Sequence, residues 1–204
     1  MAGESFPLDG AYINLVHREP VGVVGIVTPW NGPLAVSTIN FAAALAAGNT
    51  CVVKPSEKAP VSLWMLSNLL ESAGFPPGVL NIVHGKGDTA GHALVRRPEV
   101  DAVCFIGESE IGQEITAAAS TDLKRLTLEL GGKSPTLVLA DADLDRAVDG
   151  ALLSVFSSNG EVCTAGSRIL VEAPLYDRFL DRFVARARAI AVGDPQDAST
   201  ELGP

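Results

Sequence analysis

The chain has 204 residues, 47% hydrophobic and 19% charged, with a formal net charge of −9 at pH 7. This is the balance of a folded protein with one sizeable core or two small lobes, and it argues against disorder; the acidic excess argues against nonspecific nucleic-acid binding, which needs clustered Lys and Arg. Three scattered cysteines without a Cys-x-x-Cys spacing argue against a disulfide framework and for a reducing compartment, and His17, His84 and His92 lack metal-ligand spacing.

The first residues show no basic segment followed by an apolar one, and the longest apolar stretch, 41–47, is too short to cross a membrane, so a cytoplasmic location is expected. From residue 21 onward, β-rich runs alternate with helical patterns. A strand over 21–28 precedes a helix over 33–47, started by Asn31 and stopped by Gly48. A strand over 50–54, a helix over 60–73 ended by Gly74, and a strand over 79–83 follow. Next come a helix over 89–95, a strand over 102–106, a helix over 109–119 and a strand over 126–130. Strands separated by helices of this length predict βαβ units and a mainly parallel α/β sheet, with ligands gathering where strands end and helices begin. The pattern restarts after Gly131, with strands over 136–139 and 168–171 and helices over 144–158 and 175–191, so a domain boundary is expected near Gly131-Gly132.

Glu129-Leu130-Gly131-Gly132-Lys133 and the later Ser158-Asn159-Gly160-Glu161-Val162-Cys163-Thr164 carry the chemistry. A thiolate is suited to attack a carbonyl, and a carboxylate can activate the water that releases the resulting acyl group, so the pair suggests acyl chemistry. Each alone also has a structural reading, an inert buried thiol and a strand-end carboxylate. Flanking by Leu128, Leu130 and two glycines predicts partial burial of Glu129. Cys51 and Cys104, inside apolar strands, are read as structural. Asn31 before Pro33 is a good helix cap. Lys54 and Glu57 share one loop from which both can reach ribose hydroxyls, and the carboxylate would repel a 2′-phosphate; Lys-Pro-Ser-Glu equally suits a helix start, with Ser56 as its cap. Gly107 to Gly112 reads as a strand, turn and helix start with amides aimed at a phosphate, and Gly85-Lys86-Gly87 as a neighbouring turn on the adenine side.

Taken in order, Thr28-Pro29-Trp30-Asn31, Val52-Val53-Lys54-Pro55-Ser56-Glu57, Phe105-Ile106-Gly107-Glu108-Ser109-Glu110-Ile111-Gly112 and the two motifs above resemble the NAD(P)-dependent aldehyde dehydrogenase superfamily along nearly the whole chain. In detail, Gly107-Glu108, Asn159-Gly160-Glu161 and Leu139-Ala140-Asp141-Ala142-Asp143 look most like dehydrogenases of hydroxymuconic-type semialdehydes. The resemblance implies a Rossmann-like cofactor domain over 21–131, the start of an α/β catalytic domain over 132–204, and a remnant of oligomerisation strands within 1–20. It implies Cys163 as nucleophile, Glu129 as the base for deacylation and Asn31 as an oxyanion donor beside the Cys163 amide. It also implies that NAD, rather than NADP, is held by Val27, Thr28, Pro29, Trp30, Lys54, Ser56, Glu57, Gly85, Gly87, Gly107, Glu108, Ile111, Leu130 and Gly131. Ile106 and Glu108 depart from the family's usual Thr and Ser. The partners implied are an aldehyde or semialdehyde substrate and, for a full-length subunit, further copies in a homodimer or homotetramer. A segment holding the nicotinamide ribose is expected beyond Pro204, so the 204 residues alone are expected to be inactive and prone to association. The alternative is a noncatalytic remnant keeping part of a dinucleotide site or an assembly surface.

Overall fold

The computed structural model describes residues 3–7, 9–10 and 12–203, which fall into two units, 1–130 and 131–204. The first unit opens with an antiparallel hairpin of β1 (Glu4–Pro7) and β2 (Ile13–Val16), exposed along both strands. The hairpin lies within the segment 1–20, where the resemblance implies a remnant of oligomerisation strands.

After the hairpin come β3 (Val23–Val27), α1 (Pro33–Ala46), β4 (Thr50–Lys54), α2 (Val61–Ser72), β5 (Leu80–Ile82), α3 (His92–Arg96), β6 (Ala102–Gly107), α4 (Ser109–Ala119) and β7 (Arg125–Leu130). The five strands from β3 to β7 pair in parallel in the order β5-β4-β3-β6-β7. Such a sheet needs cover on both faces, and the period-two alternation of side chains supplies two cores. Ile26, Cys51, Val53 and Cys104 meet Phe41 of α1 and Leu63 of α2 on one face. Val27, Val103 and Phe105 meet Leu94 and Val95 of α3 and Ile115 of α4 on the other. Gly25 has to be small, because a Cβ there would stand 3.2 Å from both Leu94 and Val100. The sheet is Rossmann-like, with its order reversing between β3 and β6.

Two local expectations are corrected. Asn31 is not the cap of α1: Gly32 holds that position without a side-chain bond, and Pro33 starts the helix, where its missing N–H costs nothing. The turn expected as a helix from residue 89 is a π-helical stretch, Gly87–Gly91, running into the short α3. At the other end of α1, Gly48 takes φ +84° and its amide donates to the Leu45 carbonyl. Asn49 then ties this end to the entry of β3. Its Oδ1 accepts from the amides of Val21 and Gly22 at 2.6 and 3.0 Å, and its Nδ2 donates to the Ala44 carbonyl at 3.0 Å.

The second unit contains β8 (Pro135–Val138), α5 (Leu144–Phe156), β9 (Arg168–Val171) and α6 (Tyr176–Ala189), with β8 and β9 paired in parallel. Asp143 caps α5 by accepting from the amides of Asp145 and Arg146, both at 3.1 Å. Val138, Val148, Ala151 and Leu175 form its core with Phe179, which stacks on Phe183. Arg182 and Arg186 of α6 pair with Asp145 of α5, and Arg186 also pairs with Asp149. Among the described residues, no helix is long and apolar enough to cross a membrane.

Burial pushes the thiols of Cys51 and Cys104 up from 9.0 to about 11, and the Glu129 charge adds to the effect on Cys104. A raised pKa in the folded state means that the unfolded chain ionises first, so this contribution is intact below pH 9.0 and is lost as pH rises toward about 11. Urea midpoints measured from about pH 8.5 to about pH 10.5 are expected to fall more steeply for the parent chain than for the Cys51→Ala/Cys104→Ala variant. Equal slopes would show that the two thiols do not govern the alkaline limit.

Candidate active site

Parallel strands place all their carboxyl ends along one edge of the sheet. At that edge Thr28, Lys54 and Gly107, from the ends of β3, β4 and β6, border one cavity of about 380 Å³. The backbone is fixed there, with the Thr28 amide donating to the Lys54 carbonyl at 3.1 Å and the Thr28 hydroxyl bonded to that of Ser37 at 2.8 Å. Lys54 has a side chain only 3% exposed, and its Nζ donates to Glu57 Oε2 at 2.9 Å. Hydrogen bonds from its own amide, from Lys54 and from the Gly87 amide hold the Glu57 carboxyl below the usual carboxylate range. A buried ammonium beside an ionised, solvent-facing carboxylate offers one donor and one acceptor group, the complement of a vicinal diol.

Val27, Pro29, Trp30, Ser56, Gly87, Glu108 and Ile111 also line this cavity, so eleven of the fourteen expected cofactor residues meet in it. Gly85, Leu130 and Gly131 do not. Gly85 shapes the turn before it, at φ +150° and with a Cβ position 2.7 Å from that of Ala90. Leu130 packs inward against Gly112 and the core, and Gly131 belongs to the second unit. Ser56 does not cap α2, whose N-cap is Pro60; its hydroxyl instead accepts from the Lys58 amide at 3.3 Å.

Glu108 stands at the N-cap of α4 in an extended conformation, without a side-chain cap bond, and forms no ion pair among the described residues. The first turn of α4, whose leading amides have no partner within the helix, borders the cavity. Sequence reasoning missed Lys58, whose ammonium lies 5.6 Å from the Trp30 ring centroid, and His92, Glu114 and Ile115 on the cavity wall. The signal for the last two was present: they follow the expected Ile111 at i+3 and i+4 on one helix.

Glu129 is exposed on β7, not partly buried as expected. β7 is an edge strand: its alternation turns Leu126, Leu128 and Leu130 to the core and leaves Arg125, Thr127 and Glu129 on the other face. Asn31 is exposed in the turn between β3 and α1.

In the second unit α5 stops at Phe156, two residues earlier than expected, and the chain turns through Ser157–Gly160. Ser158 and Asn159 have φ of 49° and 58°, and Gly160 has φ of 73°. Consecutive left-handed residues cost about 1–3 kcal/mol each where a Cβ is present, a strain typical of sites held for function. Cys163 follows, exposed, in a turn closed by the Ala165 amide on the Val162 carbonyl at 3.0 Å. Gly132 lets the chain pass close to it, since a Cβ there would stand 2.6 Å from the Cys163 carbonyl oxygen. Gly166 has to be small, because a Cβ there would collide with the hydroxyls of Thr136 and Ser154. Among the described residues, no group of His, Cys, Asp and Glu is arranged to hold a metal ion.

A mainly parallel, Rossmann-like sheet with a cavity at its switch point defines an α/β chain of the Rossmann-like class. It belongs to the aldehyde dehydrogenase family, whose model matches residues 1–204. Human mitochondrial aldehyde dehydrogenase is 48% identical over 203 residues, covering 99% of this chain and 39% of that protein. Mouse retinal dehydrogenase 2 is 49% identical over the same length, again 99% of this chain and 39% of the relative. The NAD+ complex of an aldehyde dehydrogenase from Bacillus cereus superposes with a TM-score of 0.96 at 42% identity, over 100% of this chain and 42% of that one. The chain therefore spans about two fifths of the length of these relatives.

The three thiols are expected to separate by rate. At about pH 8, an aromatic disulfide reagent is expected to modify Cys163 rapidly, and Cys51 and Cys104 only as the fold opens. Loss of the fast phase in Cys163→Ser checks the assignment; a fast phase that survives it would move the reactive thiol elsewhere.

Proposed function

We propose that the protein to which these residues belong oxidises an aldehyde to the carboxylic acid with NAD as hydride acceptor, using Cys163, Glu129 and Asn31. The observation that carries this reading is the exposure of Cys163 shortly after a turn of left-handed residues, while the other two thiols are buried and pushed to about 11. The cavity fits the cofactor through the chemistry of its donor set. Lys54 can donate to, and Glu57 accept from, the hydroxyls of one ribose, and the first-turn amides of α4 suit a phosphate. The bound cofactor supplies the acceptor for hydride.

The Cys163 thiolate adds to the aldehyde carbon, forming the C–S bond of a thiohemiacetal. The carbonyl electron pair moves onto oxygen, where the Asn31 side-chain amide and the Cys163 backbone amide donate hydrogen bonds; preorganised donors of this kind are worth roughly 3 kcal/mol each. Collapse of this adduct expels hydride and leaves a thioester on Cys163. Glu129 then takes a proton from water, the resulting hydroxide attacks the thioester carbon, and the C–S bond breaks to return the thiolate and release the acid. In this reading residues 21–131 are the cofactor domain, 132–204 begin the catalytic domain, and the β1–β2 hairpin belongs to an oligomerisation arm. The narrower substrate class is a semialdehyde, supported by the Glu108 and Asn159-Gly160-Glu161 motifs.

Within a subunit of the relatives' length, Cys163→Ala is expected to abolish aldehyde-dependent NADH formation while NAD binding persists. Retained turnover would sink the nucleophile assignment. Glu129→Gln should keep a first burst of NADH and slow steady turnover about 100-fold, the scale of a lost general base; loss of the burst would move Glu129 to an earlier step.

Cofactor choice is expected to rest on Glu57, ionised at neutral pH because its pKa is lowered. Its pairing with Lys54 is intact above the ordinary carboxylate pKa and is lost as pH falls through the lowered value. Glu57→Gln should narrow the preference for NAD over NADP in paired Kd measurements at neutral pH. Equal use of both by the parent protein would contradict this reading.

A further inference from the structure

Two of the asparagines in the chain, Asn31 and Asn159, are followed by glycine; each of the others precedes a branched or bulky residue. The side-chain amide of an asparagine is open to attack by the backbone nitrogen of the next residue, and glycine, which has no Cβ, obstructs that ring closure least. Asn31 and Asn159 are both exposed, so water reaches each of them. Their electrical surroundings are opposite. Gly32 is the N-cap of α1, outside the helix, and no acidic residue lies in the first turn of α1 to offset its positive end. The Lys58 ammonium, 5.6 Å from the ring centroid of the adjacent Trp30, adds a further positive charge nearby. Asn159 instead follows the C-terminus of α5 at Phe156, where the helix end is negative, and Glu161 comes directly after Gly160. The Asn159-Gly160 pair is also held inside a turn, closed by the Glu161 amide on the Ser158 carbonyl at 3.0 Å.

We propose that Asn31 is a site of spontaneous hydrolytic modification, closing onto the Gly32 nitrogen and opening to aspartate or isoaspartate, and that it ages ahead of Asn159. Solvent base takes the Gly32 amide proton, a loss that the positive end of α1 favours. The nitrogen then attacks Asn31 Cγ. A new C–N bond forms, the bond from Cγ to Nδ2 breaks, and ammonia leaves with a proton from solvent. Water adds to either carbonyl of the resulting cyclic imide. If the Gly32 nitrogen parts from Cγ the product is aspartate, and if it parts from the Asn31 backbone carbon the product is isoaspartate. One water is consumed, one ammonia is released, and nothing is oxidised or reduced. The aspartate charge stands before the first turn of α1, where the helix dipole favours an anion, so the fold is not weakened. In the reading above, Asn31 donates a hydrogen bond to the oxyanion. A carboxylate is an acceptor only and repels that charge, so activity is lost with age while the fold is kept. Only this last consequence rests on that reading; the modification does not.

Peptide mapping by mass spectrometry of the folded 204-residue chain, incubated at about pH 8 and about 37 °C, should show Asn31 modified about tenfold faster than Asn159. In concentrated urea, where the fields of α1 and α5 are gone, the two rates should draw together. Gly32 has a φ of −144°, which alanine also adopts, and an added Cβ would meet Val36 Cγ2 at 3.0 Å, a side-chain methyl. Gly32→Ala should therefore keep the fold and slow modification of Asn31 about tenfold. Asn31→Asp should unfold at a urea midpoint no lower than that of the parent chain. Equal rates at the two sites in the folded chain, faster modification of Asn159, or an Asn31 that stays intact when folded and ages only in urea would overturn the inference. Within a subunit of the relatives' length, NADH formation from aldehyde should fall in step with modification at position 31. Turnover that survives complete modification there would overturn the oxyanion role of Asn31 and leave the modification standing.

Discussion

Parallel pairing of β3 between β4 and β6 is the constraint on which the first unit depends. It orients every strand alike, so the carboxyl ends of β3, β4 and β6 reach one edge, and the chain must cross back over a face of the sheet between strands. Cover on both faces follows, with Ile26 and Val27, neighbours in sequence, buried in different cores. Where the strand order reverses, helices leave in opposite directions, and the gap between them is the cavity that Thr28, Lys54 and Gly107 border. The site is thus a consequence of strand direction before it is a matter of particular side chains.

Charge at that edge is arranged economically. Lys54 ends a central strand and is almost wholly buried, which is costly for an ammonium unless an acceptor lies beside it. Glu57, three residues on, is that acceptor, and the amides of Glu57 and Gly87 complete its environment. Satisfying the buried lysine therefore also fixes an ionised carboxylate at the cavity mouth. The two side chains are a folding requirement and a recognition device at once.

The second unit concentrates its strain around the thiol. Asp143 caps α5 firmly and Arg186 braces it against α6, yet the helix gives way to three left-handed residues before Cys163. A cheaper route would have been another helical turn, and it would have carried the cysteine onto a helix face. Gly132 and Gly166 each stand at a place where a Cβ would meet backbone oxygen or hydroxyls.

By itself, the sequence determined the order and type of nearly every element of the parallel sheet, because fully buried strands and amphipathic helices each leave a short-range pattern. It also determined most of the cavity: Lys54, Glu57, Gly107 and Ile111 sit at strand ends and helix starts, which are local signals. What tertiary structure alone decided is what depends on partners distant in sequence. Glu129 is exposed because β7 is an edge strand, a property of strand order that its Leu and Gly neighbours cannot reveal. Gly32 displaced Asn31 as the cap, since the path from β3 into α1 sets the backbone there. Gly166 has to be small because Thr136 and Ser154, 30 and 12 positions away, converge on it. His92 and Glu114 stand 22 residues apart and face each other only once β6 has brought α4 alongside α3.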